Sequence, residues 1–216
     1  MPAKQGGWYH PIANASNLPK EPRKKPDPPK SDEQLDREFR VRVEQWQKRA
    51  SERIHELATA LGVSVASLVS LGVGWDGAHW TIPERSATGL IRGVAIRAKD
   101  GKKWMAKGSY HGLVYADESL AIVNEPVLLV EGMSDTATAL TLGLVAIGRP
   151  SNVAGIDLLK AVLENWRGRI VVVGENDRRE PKPIPNRPHS PDCKACPRCF
   201  PGLFGCQVVA KALRDR

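Results

Sequence analysis

The stretch "VLLVEGMSDTATALTLGLVAIG" (residues 127–148) decides how this chain is read. Val127 to Val130 form an unbroken apolar run, the pattern of a strand covered on both faces. The run ends on Glu131 and Gly132. "SDTATALTL" then predicts a helix capped by Ser134 and closed near Gly143. "LVAIG" predicts a second buried strand. "AGIDLLKAVLENW" (154–166) reads as a second helix and "RIVVVG" (169–174) as a third strand. The order strand, helix, strand, helix, strand predicts a parallel sheet with right-handed crossovers. Sheets of this kind bind ligands at the carboxyl ends of their strands.

Acidic residues sit where such a site would be. Glu131 ends the first strand and Asp135 follows it by four residues. Glu175 and Asp177 follow the third strand. If the first and third strands are neighbours, the four carboxylates gather at one edge, and their repulsion calls for a counter-cation. Oxygen ligands of this kind suit Mg²⁺ or Mn²⁺.

Upstream the period changes. "HWTIPER", "LIRGVAIRA" and "KKWMAKGS" are short β-type runs, and Asp100-Gly101 between the last two predicts a type I′ hairpin. Residues 79–116 therefore read as a small antiparallel sheet. Arg92, Arg97, Lys102, Lys103 and Lys107 lie on or beside it, a basic ridge suited to phosphates.

Before the sheet, Ser31 and Gln34 form a capping box for a long helix. Its apolar stripe runs Leu35, Phe39, Val43, Trp46, Ala50, Ile54, Leu57 and Leu61, with Gly62 as the stop. A short helix, "VASLVSL", follows Ser64. The pair resembles a helix-turn-helix in spacing, but the second helix offers only small apolar residues and serines. A packing role is expected, since reading base edges needs polar or basic side chains. Residues 1–30, which end in "KEPRKKPDPPK" (20–30), read as a disordered basic, Pro-rich tail.

The formal net charge of +8 suits a polyanionic partner such as nucleic acid. No apolar run approaches the roughly 18 residues of a membrane span, and the N-terminus has no apolar signal core. A cytoplasmic protein with no membrane partner is expected. All four cysteines fall between residues 193 and 206, which favours a metal site over a disulfide framework. Cys193, Cys196 and Cys199 have C-x-x-C-x-x-C spacing. His189 or Cys206 would complete a tetrahedral, structural Zn²⁺ site.

Together these residues resemble a known family. "VLLVEGMSDTATALTLGL" is similar to the first Toprim motif, and "GEND" followed by "GCQVVAKAL" is similar to the second. "LGVGWDGAHWTIPER" and "GVAIRAKDGKKWMAKGSYHGLVYA" resemble the segment that precedes Toprim in bacterial and phage DNA primases. The resemblance covers residues 65–216. It implies that Glu131 is the catalytic glutamate, Asp135 the second acid of that motif, and Glu175 and Asp177 the metal-binding pair. It further implies that Arg97, Lys103 and Lys107 hold template or nucleotide, and that Gly132 and Gly205 permit close approach.

The implied activity is synthesis of RNA primers on single-stranded DNA from nucleoside triphosphates, with a replicative helicase as a further partner. A Toprim nuclease or an inactive nucleic-acid-binding relative is the alternative. Three departures stand out. Glu175 occupies an aspartate position, residues 178–204 form an insertion, and the chain stops at Arg216 where the family continues. A truncated product, a fragment or one part of a split system would each fit that ending.

The expected fold is thus α/β, a Toprim-like parallel sheet (βαβαβα) preceded by a small α+β primase-type subdomain. The expected divisions are a tail (1–30), a helical region (31–72), the small sheet (73–124) and the Toprim domain (125–216) with its Cys-rich insertion.

Overall fold

The structure, a computed structural model, describes residues 29–121, 123–176, 178–180, 193 and 196–214. Residues 1–28 of the expected tail (1–30), Asp177 and His189 lie outside the described residues.

Helix α1 spans Asp32–Ala50, and its capping box forms as expected. The Ser31 hydroxyl accepts from the Gln34 N–H at 3.3 Å, and the Gln34 side chain accepts from the Ser31 N–H at 2.9 Å. The single long helix expected from the stripe is broken after Ala50, and α2 runs Ile54–Leu61. The break has a packing reason. Leu35, Phe39 and Val43 bury against Ile91 and Val94. Ile54, Leu57 and Ala58 enter a different cluster with Trp75, Trp80 and Ile82. A straight helix could not present one stripe to both. Gly62 stops α2 with a left-handed φ of 67°, and α3 (Val65–Ser70) is capped by Ser64. Helix α3 packs as expected. It buries Ser67 and Leu68, and the Thr141 hydroxyl from the later helix bonds Ser67 Oγ at 3.1 Å.

The small sheet is antiparallel in the order β1 (Gly74–Trp75), β2 (Trp80–Arg85), β3 (Ile91–Arg97), β4 (Lys103–Met105). The β3–β4 turn is a hairpin of a different type from the one expected. Ala98 and Lys102 flank a three-residue loop, and the Gly101 N–H donates to Ala98 O at 3.0 Å with φ 87° at Gly101. That is the three-residue loop closed by a left-handed glycine. Asp36 pins α1 to this sheet. Its buried carboxylate accepts from the Ile91 N–H at 2.8 Å and from Arg40 at 2.7 and 2.8 Å.

The second sheet is parallel and three-stranded, as the apolar runs predict. It contains β5 (Val127–Glu131), β6 (Val145–Arg149) and β7 (Ile170–Val172) in the order β6-β5-β7. Helices α4 (Gly132–Thr141), α5 (Ile156–Val162) and α6 (Pro201–Arg214) complete it. Helices α5 and α6 bury Leu159, Val209 and Leu213 with Leu129 and Ile147 of the sheet. Met133 and Ala137 of α4 join Leu57, Leu68 and Ile82 in a cluster that runs into the small sheet. The two sheets also meet through backbone. Val114 and Gly148 exchange bonds of 2.9 and 2.7 Å, and Arg85 and Leu113 exchange bonds of 2.7 and 2.8 Å. Among the described residues, no helix is long and apolar enough to cross a membrane.

Candidate active site at the carboxyl edge of the parallel sheet

The site follows from strand order. β5 lies between β6 and β7, so the residues that leave β5 and β7 emerge side by side. Glu131 is the last residue of β5 and stands opposite Arg149 of β6. Past the end of β7, the Val173 N–H still donates to Leu129 O at 3.0 Å, and Glu175 follows two residues later. Helix α4 begins at Gly132 with Glu131 as its N-cap residue, rather than at Ser134 as expected. The left-handed φ of 71° at Gly132 makes that sharp turn possible. An earlier start makes Glu131 the residue that heads the helix, although its side chain caps none of the helix N–H groups.

The electrostatics reflect this crowding. Burial raises the Glu131 proton affinity, and the charge of Glu175 raises it further, while Arg149 and Arg179 oppose. Burial also raises the Asp135 carboxyl, opposed by Lys103. Asp135 lies in the first turn of α4, so Lys103 of β4 reaches across from the other sheet.

Arg149, which the sequence reading passed over, ties this edge together. It is only 1% exposed. Its guanidinium donates to Val130 O at 3.3 Å, to Val173 O at 2.9 Å and to Asn152 O. A single side chain from β6 thus joins the ends of β5 and β7. Burial lowers its pKa, and Glu131 is the largest influence holding it up. The signal was a charged residue ending a buried strand at the same edge as Glu131.

A cavity of about 480 Å³ opens in front of this edge. Glu131, Glu175 and Arg149 form one wall, and Arg97 and Lys103 of the small sheet form the other. Glu84 and His111 also line it, and neither was singled out in the sequence. Lys107 lies in an exposed turn after β4. Helix α6 packs closely behind the strand exits. A Cβ on Gly205 would fall 2.7 Å from Asn152 O, and one on Gly202 would fall 2.5 Å from Glu175 O. Both glycines therefore allow the helix to lie against the strand exits.

Glu131 and Glu175 repel each other across adjacent strand exits, and Asp135 lies one helical turn along α4. Among the described residues these acids do not form a group of three with ligand oxygens within 4.8 Å of one another, and Glu175 pairs with Arg179 at 3.8 Å. A tighter group is sulfur-based. The Sγ atoms of Cys193, Cys196 and Cys199 lie within 4.8 Å of one another, so these residues could hold a metal ion. Burial and the neighbouring Cys196 and Cys193 push the Cys199 thiol up to about 11. Cys206 stands apart on α6, with its thiol bonded to Leu203 O at 3.0 Å. The turn is joined to the strand exit, since the Arg179 N–H donates to Cys199 O at 2.8 Å.

No family model matches the chain, and no curated protein matches it. Solved structures do. The catalytic domain of DnaG primase bound to single-stranded DNA superposes with a TM-score of 0.55 at 14% identity, over 68% of this chain and 63% of that one. The Escherichia coli primase catalytic core gives 0.54 at 14% identity, over 67% and 63%. The RNA polymerase domain of Mycobacterium tuberculosis primase DnaG gives 0.51 at 13% identity, over 68% of each chain. The chain thus spans somewhat under two thirds of the first of these structures. It has the fold of the bacterial primase catalytic core, with a Toprim-type parallel sheet as the sequence led one to expect.

Proposed function

We propose that this chain is the core of a primase-type nucleotidyltransferase, which joins ribonucleotides on a single-stranded DNA template. The observation that carries this reading is the two-walled cleft. Glu131 ends β5, Glu175 lies three residues beyond the neighbouring β7, and Arg97 and Lys103 line the same cavity from the small sheet. A nucleoside triphosphate needs both walls, one to hold a cation and one to meet the remaining phosphate charge.

Glu131, Asp135 and Glu175, with Asp177, would hold Mg²⁺ or Mn²⁺. When bound, the ion supplies charge neutralisation at the phosphates and orients them for in-line displacement. Arg97 and Lys103 would orient the triphosphate and the template strand, with Lys107 on the flank touching the template backbone. Arg149 would keep the strand ends, and hence Glu131, in register. The repulsion between Glu131 and Glu175 favours cation uptake, because the cation relieves a cost already present in the fold.

Cys193, Cys196 and Cys199 suit Zn²⁺. Tetrahedral bonds of about 2.3 Å place thiolate sulfurs about 3.8 Å apart, within the spread of this group. His189 is the fourth ligand this reading assigns. Four protein ligands leave no open position, so the ion would be structural. A replicative helicase is the protein partner such a core would serve.

The test is primer synthesis on single-stranded DNA with ribonucleoside triphosphates and Mg²⁺ or Mn²⁺. Extended RNA products that disappear in Glu131→Gln are expected. Strand cleavage without synthesis would replace this reading with a Toprim nuclease.

A further inference from the structure

Glu84 is a charged residue near the end of a fully buried strand. It belongs to β2, where every residue is buried, and its side chain is 6% exposed. Two groups meet its carboxylate, and both come from the segment that links the two sheets. The Gly112 N–H donates to Glu84 Oε2 at 2.8 Å, and His111 Nδ1 lies 3.1 Å from the same oxygen. A Cβ on Gly112 would fall 2.6 Å from Arg85 O, so the segment is pressed directly onto β2. The ring is therefore held from behind by a buried carboxylate on a backbone with little room to shift. Yet the His111 side chain is 59% exposed, and it faces the cleft. A pair serving only to seal the seam would bury the imidazole as well as the acid.

Strand register locates the ring relative to the acids. Val114 bridges Gly148 of β6 in antiparallel sense, and Gly148 stands opposite Val130 of β5. Moving from Gly148 to Arg149 approaches the carboxyl edge. In the antiparallel segment the same direction runs from Val114 back towards His111. His111 thus emerges at the edge where Glu131 emerges, two strand spacings across, or roughly 10 Å, and about two residues further along. Both line the same cavity, so a phosphate group held there would lie between them.

We propose that His111, oriented by Glu84, binds a phosphate group in the cleft and completes the cationic wall begun by Arg97 and Lys103. The inference rests on the nucleotidyltransferase reading and deepens it. With Nδ1 turned to Glu84, Nε2 faces the cavity as a hydrogen-bond donor whenever the ring is protonated. The phosphate belongs either to the incoming nucleotide or to the nucleic-acid backbone, and the two sources can be separated. Charged groups around the ring come from every neighbouring element: Glu84 on β2, Arg97 on β3, Lys103 on β4, Glu131 on β5, Arg149 on β6 and Glu175 beyond β7.

Equilibrium binding of Mg–ATP and of a short oligothymidylate is measured for the full chain and for His111→Ala, His111→Lys and Glu84→Gln. His111→Ala is expected to weaken one probe on the order of tenfold, the usual worth of a charge-assisted hydrogen bond. Its thermal midpoint should fall modestly, because Glu84 keeps the Gly112 N–H but loses the imidazole, and His111→Lys should restore most of the affinity. Glu84→Gln, which takes the carboxylate from behind the ring, should weaken the same probe, but less than His111→Ala does. A loss confined to Mg–ATP assigns the phosphate to the nucleotide, and one confined to the oligonucleotide assigns it to the backbone. Equal binding of both probes by wild type and His111→Ala overturns the proposal and leaves the nucleotidyltransferase reading standing. A wild type that binds neither probe overturns both.

Discussion

Glu131 gives the clearest case of a residue whose energetics point beyond structure. Burial and the charge of Glu175 both raise its proton affinity in the folded state. A carboxyl shifted this way stabilises the fold below its unfolded pKa of about 4.5, and that contribution is lost as pH rises through the raised folded value. Without divalent ions, the stability difference between Glu131→Gln and wild type should therefore grow in favour of the variant from about pH 4 to neutrality. Mg²⁺ or Mn²⁺ should raise the thermal midpoint of the wild type and do so less in the variant. Midpoints that respond equally to the ions in both proteins would contradict a cation at Glu131. Arg149 makes the opposite kind of prediction. It is buried, and it satisfies three carbonyls from two strand ends and one loop. Arg149→Leu should cost about 3–5 kcal/mol in denaturant unfolding, the range for removing one member of a buried charged network. A loss under about 1 kcal/mol would show that the guanidinium does not hold the edge together.

At the scale of elements, the position of α6 depends on two glycines. Gly205 lies against Asn152 and Gly202 against Glu175, each closer than a Cβ tolerates. The Asn152 side chain also donates to Pro201 O at 2.9 Å, fixing the start of the helix. Gly205→Val should destabilise by about 1–3 kcal/mol through overpacking, read as a lower urea midpoint. An unchanged midpoint would mean that α6 can move off the strand exits. The elements themselves were largely legible in sequence. The unbroken runs at 127–130 and 170–173 both mark strands, the first covered and the second an edge strand that leaves Val171 and Val173 exposed, and their neighbour relation followed once β5 was found between β6 and β7. The break at residues 51–53 was not legible. The apolar stripe continues across it at the same spacing, and only the existence of two separate cores demands a bend. Ser134 misled for a related reason. A good capping residue was present, but Gly132 allowed the helix to start earlier.

For the whole molecule, the site lies between two sheets, and that limits what a sequence can disclose. Glu131, Glu175, Arg97 and Lys103 could be named because each falls at a readable strand end. Glu84 and His111 could not, since their roles depend on the register of the 111–114 segment against both sheets, whereas Arg149 ends β6 and carried the same kind of signal. The cysteine turn is joined to the same region by the bond between Arg179 and Cys199. Metal analysis of the purified chain should find about one equivalent of zinc, and Cys196→Ser should abolish it. Zinc well below one equivalent in the wild type would contradict the site. The most direct test of the central claim is primer synthesis on single-stranded DNA with ribonucleoside triphosphates and Mg²⁺ or Mn²⁺. RNA products from the wild type, reduced roughly 100-fold or more in Glu131→Gln, are predicted for loss of a group acting at the reacting phosphate. Absence of products with both metals, or products undiminished in Glu131→Gln, would contradict it.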